Sequence, residues 1–223
     1  MTLLKDDIKC TKCSLFRTCH KQVFGEGNKH ASVVFVGKAP GATEDIKGRP
    51  FIGKSGKTLR RFIKMFDLES ESYITNICCC RPPGNRDPSR EEIKACLPRL
   101  KRLLKKIKPK VIVPLGNVAL QALTKKTGIT KKRGKPFYMD GFYYLPMVHP
   151  AYIDRAGDRR REVLKEFADD FSEVINILDS EEEDLDYRFV TRISEAKRVL
   201  RRFTKASIFT FDNTNVTCEA SPG

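Results

Sequence analysis

Four short runs rich in β-branched and aromatic residues, Ser32–Val36, Tyr73–Ile77, Val111–Leu115 and Tyr143–Val148, recur at intervals of about 30 to 40 residues. Between them the apolar residues fall at helical spacing. Leu59, Phe62, Ile63 and Phe66 do so within Thr58–Phe66, and Ile93, Leu97, Leu100, Leu103, Leu104 and Ile107 do so up to the stop at Pro109. Val163, Leu164, Phe167, Phe171, Val174, Ile175 and Leu178 mark a last helix over Val163–Leu178. Strands separated by helices of this length are joined by crossovers, which make neighbouring strands parallel. The pattern predicts an α/β layered fold.

The unusual residues follow the strands. Gly37-Lys38-Ala39-Pro40-Gly41 comes after the first, Asn76 and the cysteines end the second, Gly116-Asn117 follows the third and His149-Pro150-Ala151 the fourth. Open parallel sheets bind ligands at the carboxyl ends of their strands, so four segments are expected to converge on one cleft. The stretch 37–56, with glycines at 37, 41, 48, 53 and 56, suits close approach of backbone to a ligand. Phe51 within it is either a stacking surface for a planar base or a core residue of a long loop.

Charge narrows the partner. Lys plus Arg number 43 against 28 Asp plus Glu, a formal balance of +15 over 223 residues, which favours a polyanion, nucleic acid first. The excess is confined to the first part, because residues 179–223 carry 7 basic and 9 acidic side chains. No run of apolar residues is long enough to cross a bilayer. The start, MTLLKDDIKC, has no apolar stretch followed by a cleavage site, so the chain is expected to stay in the cytoplasm, at the nucleoid or in a host cell's cytoplasm if it is of phage origin. In such a compartment eight cysteines point to metal ligation or burial rather than disulfides. The acidic run from Asp179 to Asp186 reads as a linker. We therefore divide the chain into a domain over 1–178, a linker over 179–187 and a partial tail over 188–223.

Motifs in order along the chain sharpen this. GxAPGxxEDxxGRPFxGxxG, YITNxxxCRPPxNRxP, a further Cys, LGxxAL, RG and HPAYxxR, spread over about residues 8–178, resemble the family 4 uracil-DNA glycosylases, which carry an iron-sulfur cluster. The resemblance implies a three-layer α/β/α fold around a four-stranded parallel sheet. It implies excision of uracil from single- or double-stranded DNA by a monomer, through hydrolysis of the N-glycosidic bond. Cys10 and Cys13 form a CxxC pair, and Cys80 and Cys96 are spaced unlike a zinc ribbon. All four match the family's ligand positions, which implies a [4Fe-4S] cluster, with Cys78 and Cys79 as packing residues and Cys19 and Cys218 unassigned.

The same resemblance gives roles to the cleft. Gly37 and Ala39 form a pocket wall, Phe51 stacks the base and Asn76 reads its edge. His149 stabilises charge on uracil O2, and Arg155 holds the His149 loop or a phosphate. Lys38 departs from the family, which usually has an acidic residue there, and places a cation where a sugar cation forms. Glu44 or Asp45 remains to orient water. A related subgroup bonds covalently to the sugar through a loop histidine, and Lys125–Phe137 contains none. The rival expectation is a catalytically weakened DNA-binding domain of a phage DNA polymerase or other replication protein. Phe189–Thr191, a helix over Glu195–Phe203 and Ser207–Asp212 resemble the entry to a polymerase 3'-5' exonuclease domain, with Asn213-Thr214 after Asp212 in place of the Asp-x-Glu motif.

Overall fold

The computed structural model describes residues 10–180 and the backbone of two short strands, Phe209–Asp212 and Asn215–Cys218. The chain divides into two compact units, Met1–Glu181 and Glu182–Gly223. In the first unit a short strand β1 (Glu26–Gly27) precedes β2 (Val33–Gly37), α1 (Ala42–Lys47), α2 (Lys54–Met65), β3 (Ser72–Asn76), α3 (Arg90–Ile107) and β4 (Val111–Pro114). There follow α4 (Asn117–Thr124), α5 (Ile129–Lys132), β5 (Phe137–Met139), β6 (Phe142–Tyr144), α6 (Ala151–Asp154) and α7 (Arg160–Asp179).

The sheet runs β1-β3-β2-β4-β6-β5. Its four inner strands are parallel, as expected, but β1 and β5 add antiparallel edges, so the sheet is six-stranded and mixed rather than four-stranded. The two edges escaped the sequence reading because strands of two and three residues are too short to show alternation. The expected fourth strand, Tyr143–Val148, keeps a regular ladder only over Phe142–Tyr144. Pro146 has no N–H to donate, yet Leu145 and Met147 still donate to the Ile112 and Pro114 carbonyls at 3.0 and 3.1 Å, so the segment rises beside β4 to deliver His149.

Alternation along the strands builds the layers. Val33, Phe35, Val111 and Val113 face α2 and α7, whereas Val34, Val36 and Ile112 face α3 and α4. The first core holds an aromatic group: Phe62 and Phe167 meet edge to face at 5.0 Å, and Phe35 stacks on Phe171 at 5.6 Å. A ring buried this way contributes about 2–3 kcal/mol. Helix α3 starts in a capping box, with Ser89 N donating to Glu92 Oε2 at 2.7 Å and Glu92 N to Ser89 Oγ at 3.3 Å. It ends at Lys108, in the left-handed region before Pro109.

In the second unit β7 (Phe209–Asp212) pairs antiparallel with β8 (Asn215–Cys218). Asp179 and Ser180, expected to open the linker, instead end and cap α7; the rest of the linker, the expected helix over 195–203 and most of the exonuclease-like segment lie outside the described residues. No described helix is long and apolar enough to cross a membrane.

Candidate active site

At the carboxyl ends of the parallel strands lies a cavity of about 130 Å³, lined by Lys38, Ala39, Pro40, Gly41, Glu44, Phe51, Ser55, Asn76, Pro82, Asn85, Arg86 and His149. Gly37 lies beneath it. A Cβ there would stand 2.4 Å from Asn76 Oδ1 and 2.6 Å from Phe51 Cζ, so only glycine lets both side chains close over the end of β2.

Phe51 adopts a left-handed backbone (φ 51°), which costs a residue with a Cβ about 1 kcal/mol or more. Three groups hold it there. Arg60 Nε donates to the Phe51 carbonyl at 2.8 Å and Arg60 Nη2 to the Pro50 carbonyl at 2.7 Å. Gly56 admits the first turn of α2 beneath it, since a Cβ there would meet Phe51 C at 2.1 Å. The ring lies 5.9 Å from the His149 ring.

Asn76 is 2 % exposed, and its Oδ1 has no hydrogen-bond partner. An orphaned buried acceptor is costly unless something binds it, and this one lines the cavity. Its backbone carbonyl accepts from Arg99 Nη2 at 2.8 Å, while Arg99 Nη1 reaches the Phe24 carbonyl at 3.2 Å. This buried arginine brace on α3 carries no sequence signal of its own.

His149 accepts at Nδ1 from Ala151 N–H at 3.2 Å, which places the ring proton on Nε2. Burial pushes its pKa down to about 4, helped by the charges of Lys38 and Arg155 and opposed by Glu44. The ring is therefore a neutral donor at physiological pH. Arg155 is exposed and does not line the cavity; it acts on His149 through its charge. Lys38 Nζ donates to Asp87 Oδ1 at 2.5 Å.

The two acidic candidates separate. Glu44 lines the cavity, and its Oε1 accepts from Ile52 and Gly53 N–H at 2.9 and 2.7 Å. Asp45 does not. It is 1 % exposed and accepts from His20 N at 2.9 Å, Lys21 N at 3.3 Å and His20 Nδ1 at 2.9 Å. Its carboxylate fastens the N-terminal segment to α1, which corrects the expectation that it could orient water. Ser55, Pro82, Asn85 and Arg86 line the cavity unforeseen, although the last three sit inside the CRPPxNRxP motif.

A second cluster of chemistry-bearing residues lies where β3 ends and α3 packs. Cys13, Cys78 and Cys96 are hydrogen-bonded through Cys96, whose thiol is held down to about 6, chiefly by Cys78. Burial pushes Cys80 up, together with a hydrogen bond to Cys19. Two residues read as a packing residue and as unassigned, Cys78 and Cys19, thus touch proposed ligands. Among the described residues no three donors converge on a single metal ion. A four-iron cluster asks something else of its donors, one thiolate at each of four irons. Thiols brought to one corner by the N-terminal segment, the end of β3 and α3 fit that chemistry.

Residues 24–172 match the family model for the uracil DNA glycosylase superfamily, and the chain belongs to that superfamily. Within it the chain is similar to type-4 enzymes. It is 39% identical to the type-4 uracil-DNA glycosylase of Saccharolobus solfataricus over 83% of this chain and 90% of that protein. It is 42% identical to the type-4 uracil-DNA glycosylase of Thermotoga maritima over 71% of this chain and 85% of that one. A DNA polymerase of Bacillus phage SP01 is 36% identical over 58% of this chain and 14% of its own length.

Proposed function

We propose that the chain excises uracil from DNA by hydrolysing the N-glycosidic bond, leaving an abasic site. The observation that carries this reading is the unpartnered, buried Oδ1 of Asn76, a residue that lines the cavity together with Phe51. A base inside a duplex is out of reach, so the nucleotide swings out and uracil stacks on Phe51. Asn76 Oδ1 then accepts from uracil N3–H while its Nδ2 donates to O4. Cytosine presents the reverse pattern and would leave both groups unpaired.

As the C1'–N1 bond breaks, its electron pair leaves with uracil and charge gathers on O2. The His149 Nε2–H donates to that oxygen, and a neutral imidazole serves because the proton is shared rather than transferred. Positive charge on the sugar faces Glu44, whose pinned Oε1 fixes the direction of the other oxygen. A water held there adds to C1' and passes its proton to the Glu44 carboxylate, which releases it to solvent, while the departed uracil anion takes up a proton from water. Lys38 opposes this step electrostatically and slows it.

Cys10, Cys13, Cys80 and Cys96 would hold a [4Fe-4S] cluster that ties the N-terminal segment to β3 and α3, a structural contribution, since glycosidic hydrolysis transfers no electrons. The exposed cations of α3 (Lys101, Arg102, Lys105) and of the α4–β5 region (Lys125, Lys131, Lys132, Lys135) meet phosphates, so binding weakens as salt rises.

The test is an oligonucleotide with a single uracil, treated with the protein, then alkali, and resolved on a gel. Scission at uracil, and none at thymine in a control, is expected. An intact strand with retained salt-sensitive binding would support a DNA-holding domain instead, the reading that Lys38 favours.

A further inference from the structure

Lys38 and Asp87 face each other across the mouth of the cavity. Lys38 lies in the loop after β2 and lines the cavity, while Asp87 follows the lining residues Asn85 and Arg86 in the loop after β3. The Lys38 side chain is 34% exposed and that of Asp87 66%, so the pairing draws the ammonium toward the rim. A second carboxylate stands within the cavity. Glu44 is 8% exposed and faces the interior. Among the described residues Lys38 makes its ion pair with Asp87 and not with Glu44.

We propose that Asp87 is a positioning residue for base excision: it holds the Lys38 ammonium at the rim, away from Glu44 and from the sugar carbon where positive charge develops. The inference rests on the glycosylase reading above. A cation inside a water-poor cleft acts on a forming sugar cation far more strongly than one at a wet rim, because both distance and screening favour the rim position. A released Lys38 would also neutralise Glu44, the one carboxylate lining the cavity among the described residues. Asp87 therefore makes a lysine tolerable at this position.

An exposed ion pair contributes little to folding stability. The two roles, structural and positioning, thus separate in experiment. Single-turnover excision from a uracil-containing duplex would be measured for the wild type, Asp87→Asn, Asp87→Glu, Lys38→Gln and the Lys38→Gln/Asp87→Asn double variant, with Tm and duplex affinity recorded for each. Asp87→Asn should slow excision about tenfold or more, with Tm unchanged and affinity altered by less than about twofold. Asp87→Glu should restore most of the rate. In the Lys38→Gln background the same Asp87→Asn change should alter the rate by less than about twofold, since nothing remains to be held. Equal slowing in both backgrounds, no slowing in either, or a fall in Tm that accompanies the slowing would overturn the proposal while leaving the glycosylase reading intact. A wild-type chain that leaves uracil in place would overturn that reading and the role of Asp87 with it.

Discussion

The base pocket and the cysteine corner lie at the same end of the sheet and are held in different ways. In the pocket the functional residues are held by protein groups alone, through the backbone in the case of Asn76. Phe51 is held by Arg60 and the space at Gly56, Asn76 by Arg99, Glu44 by two backbone amides, and His149 by Ala151 N–H. In the corner the thiols contact chiefly one another, and the segment bearing Cys10 and Cys13 is attached through a few bonds. These include the Asp45 contacts and Val23 N–H to the Cys79 carbonyl at 2.8 Å. The pocket is preorganised without its ligand, whereas the corner, on the proposed reading, would be completed by the cluster its thiols hold. Preorganisation suits a site that must stabilise charge without rearranging.

The contrast can be broken most sharply at His149. Replacing it with alanine should lower kcat by about a hundredfold to a thousandfold with iron content and colour unaffected, because one charge-stabilising donor is removed from a rigid frame. A drop in iron content in that variant would show that the two regions are not independent. On the other side, Cys80→Ser should abolish the brown colour and the iron content of purified protein and reduce soluble yield, while Cys78→Ser should keep the iron. Colour lost in Cys78→Ser would make the thiol in contact with Cys96 a ligand.

Asp45→Asn tests the border between the regions. Replacing a buried carboxylate that accepts three hydrogen bonds should cost about 1–3 kcal/mol of stability and loosen iron retention. Excision per iron-loaded molecule should hold, since the side chain does not line the cavity. A fall in kcat without a fall in Tm would return Asp45 to the active site. Lys38→Glu should raise the excision rate by about tenfold, equivalent to about 1.4 kcal/mol of barrier, with uracil preference kept because Asn76 reads the base. The smallest expected effect is in the pH profile. With a folded pKa of about 4, His149 stays neutral down to that range, so excision should show no acid limb near pH 6.5. Stability behaves differently: the unfolded ring takes up a proton below about 6.5, so the contribution from the neutral buried ring is complete above that pH and is lost as pH falls toward 4. Urea melts of wild type and His149→Phe at pH 7.5 and 4.5 would reveal it, the wild type losing more.

Much of this architecture was legible along the chain because it follows from local periodicity. The apolar runs Val33–Val36 and Val111–Val113 mark strands, and the helical spacing of Ile93–Ile107 and Val163–Leu178 marks helices and their buried faces, before any contact is known. Parallel order then places Gly37, Asn76, Gly116 and His149 at one end. The remainder depended on where side chains point after packing. Glu44 and Asp45 are neighbours in sequence, yet successive residues on a helix diverge by about 100°, so one enters the cavity and the other binds His20, 25 residues away. Arg99 reaches the Asn76 carbonyl across 23 positions and Lys38 reaches Asp87 across 49. Contacts between such distant residues leave no periodic trace. The sequence by itself determined the α/β order and the end of the sheet that carries the site, because both follow from local periodicity; only the tertiary structure decided how the strand faces divide into two cores, which charges face the cavity and which are spent on holding it together.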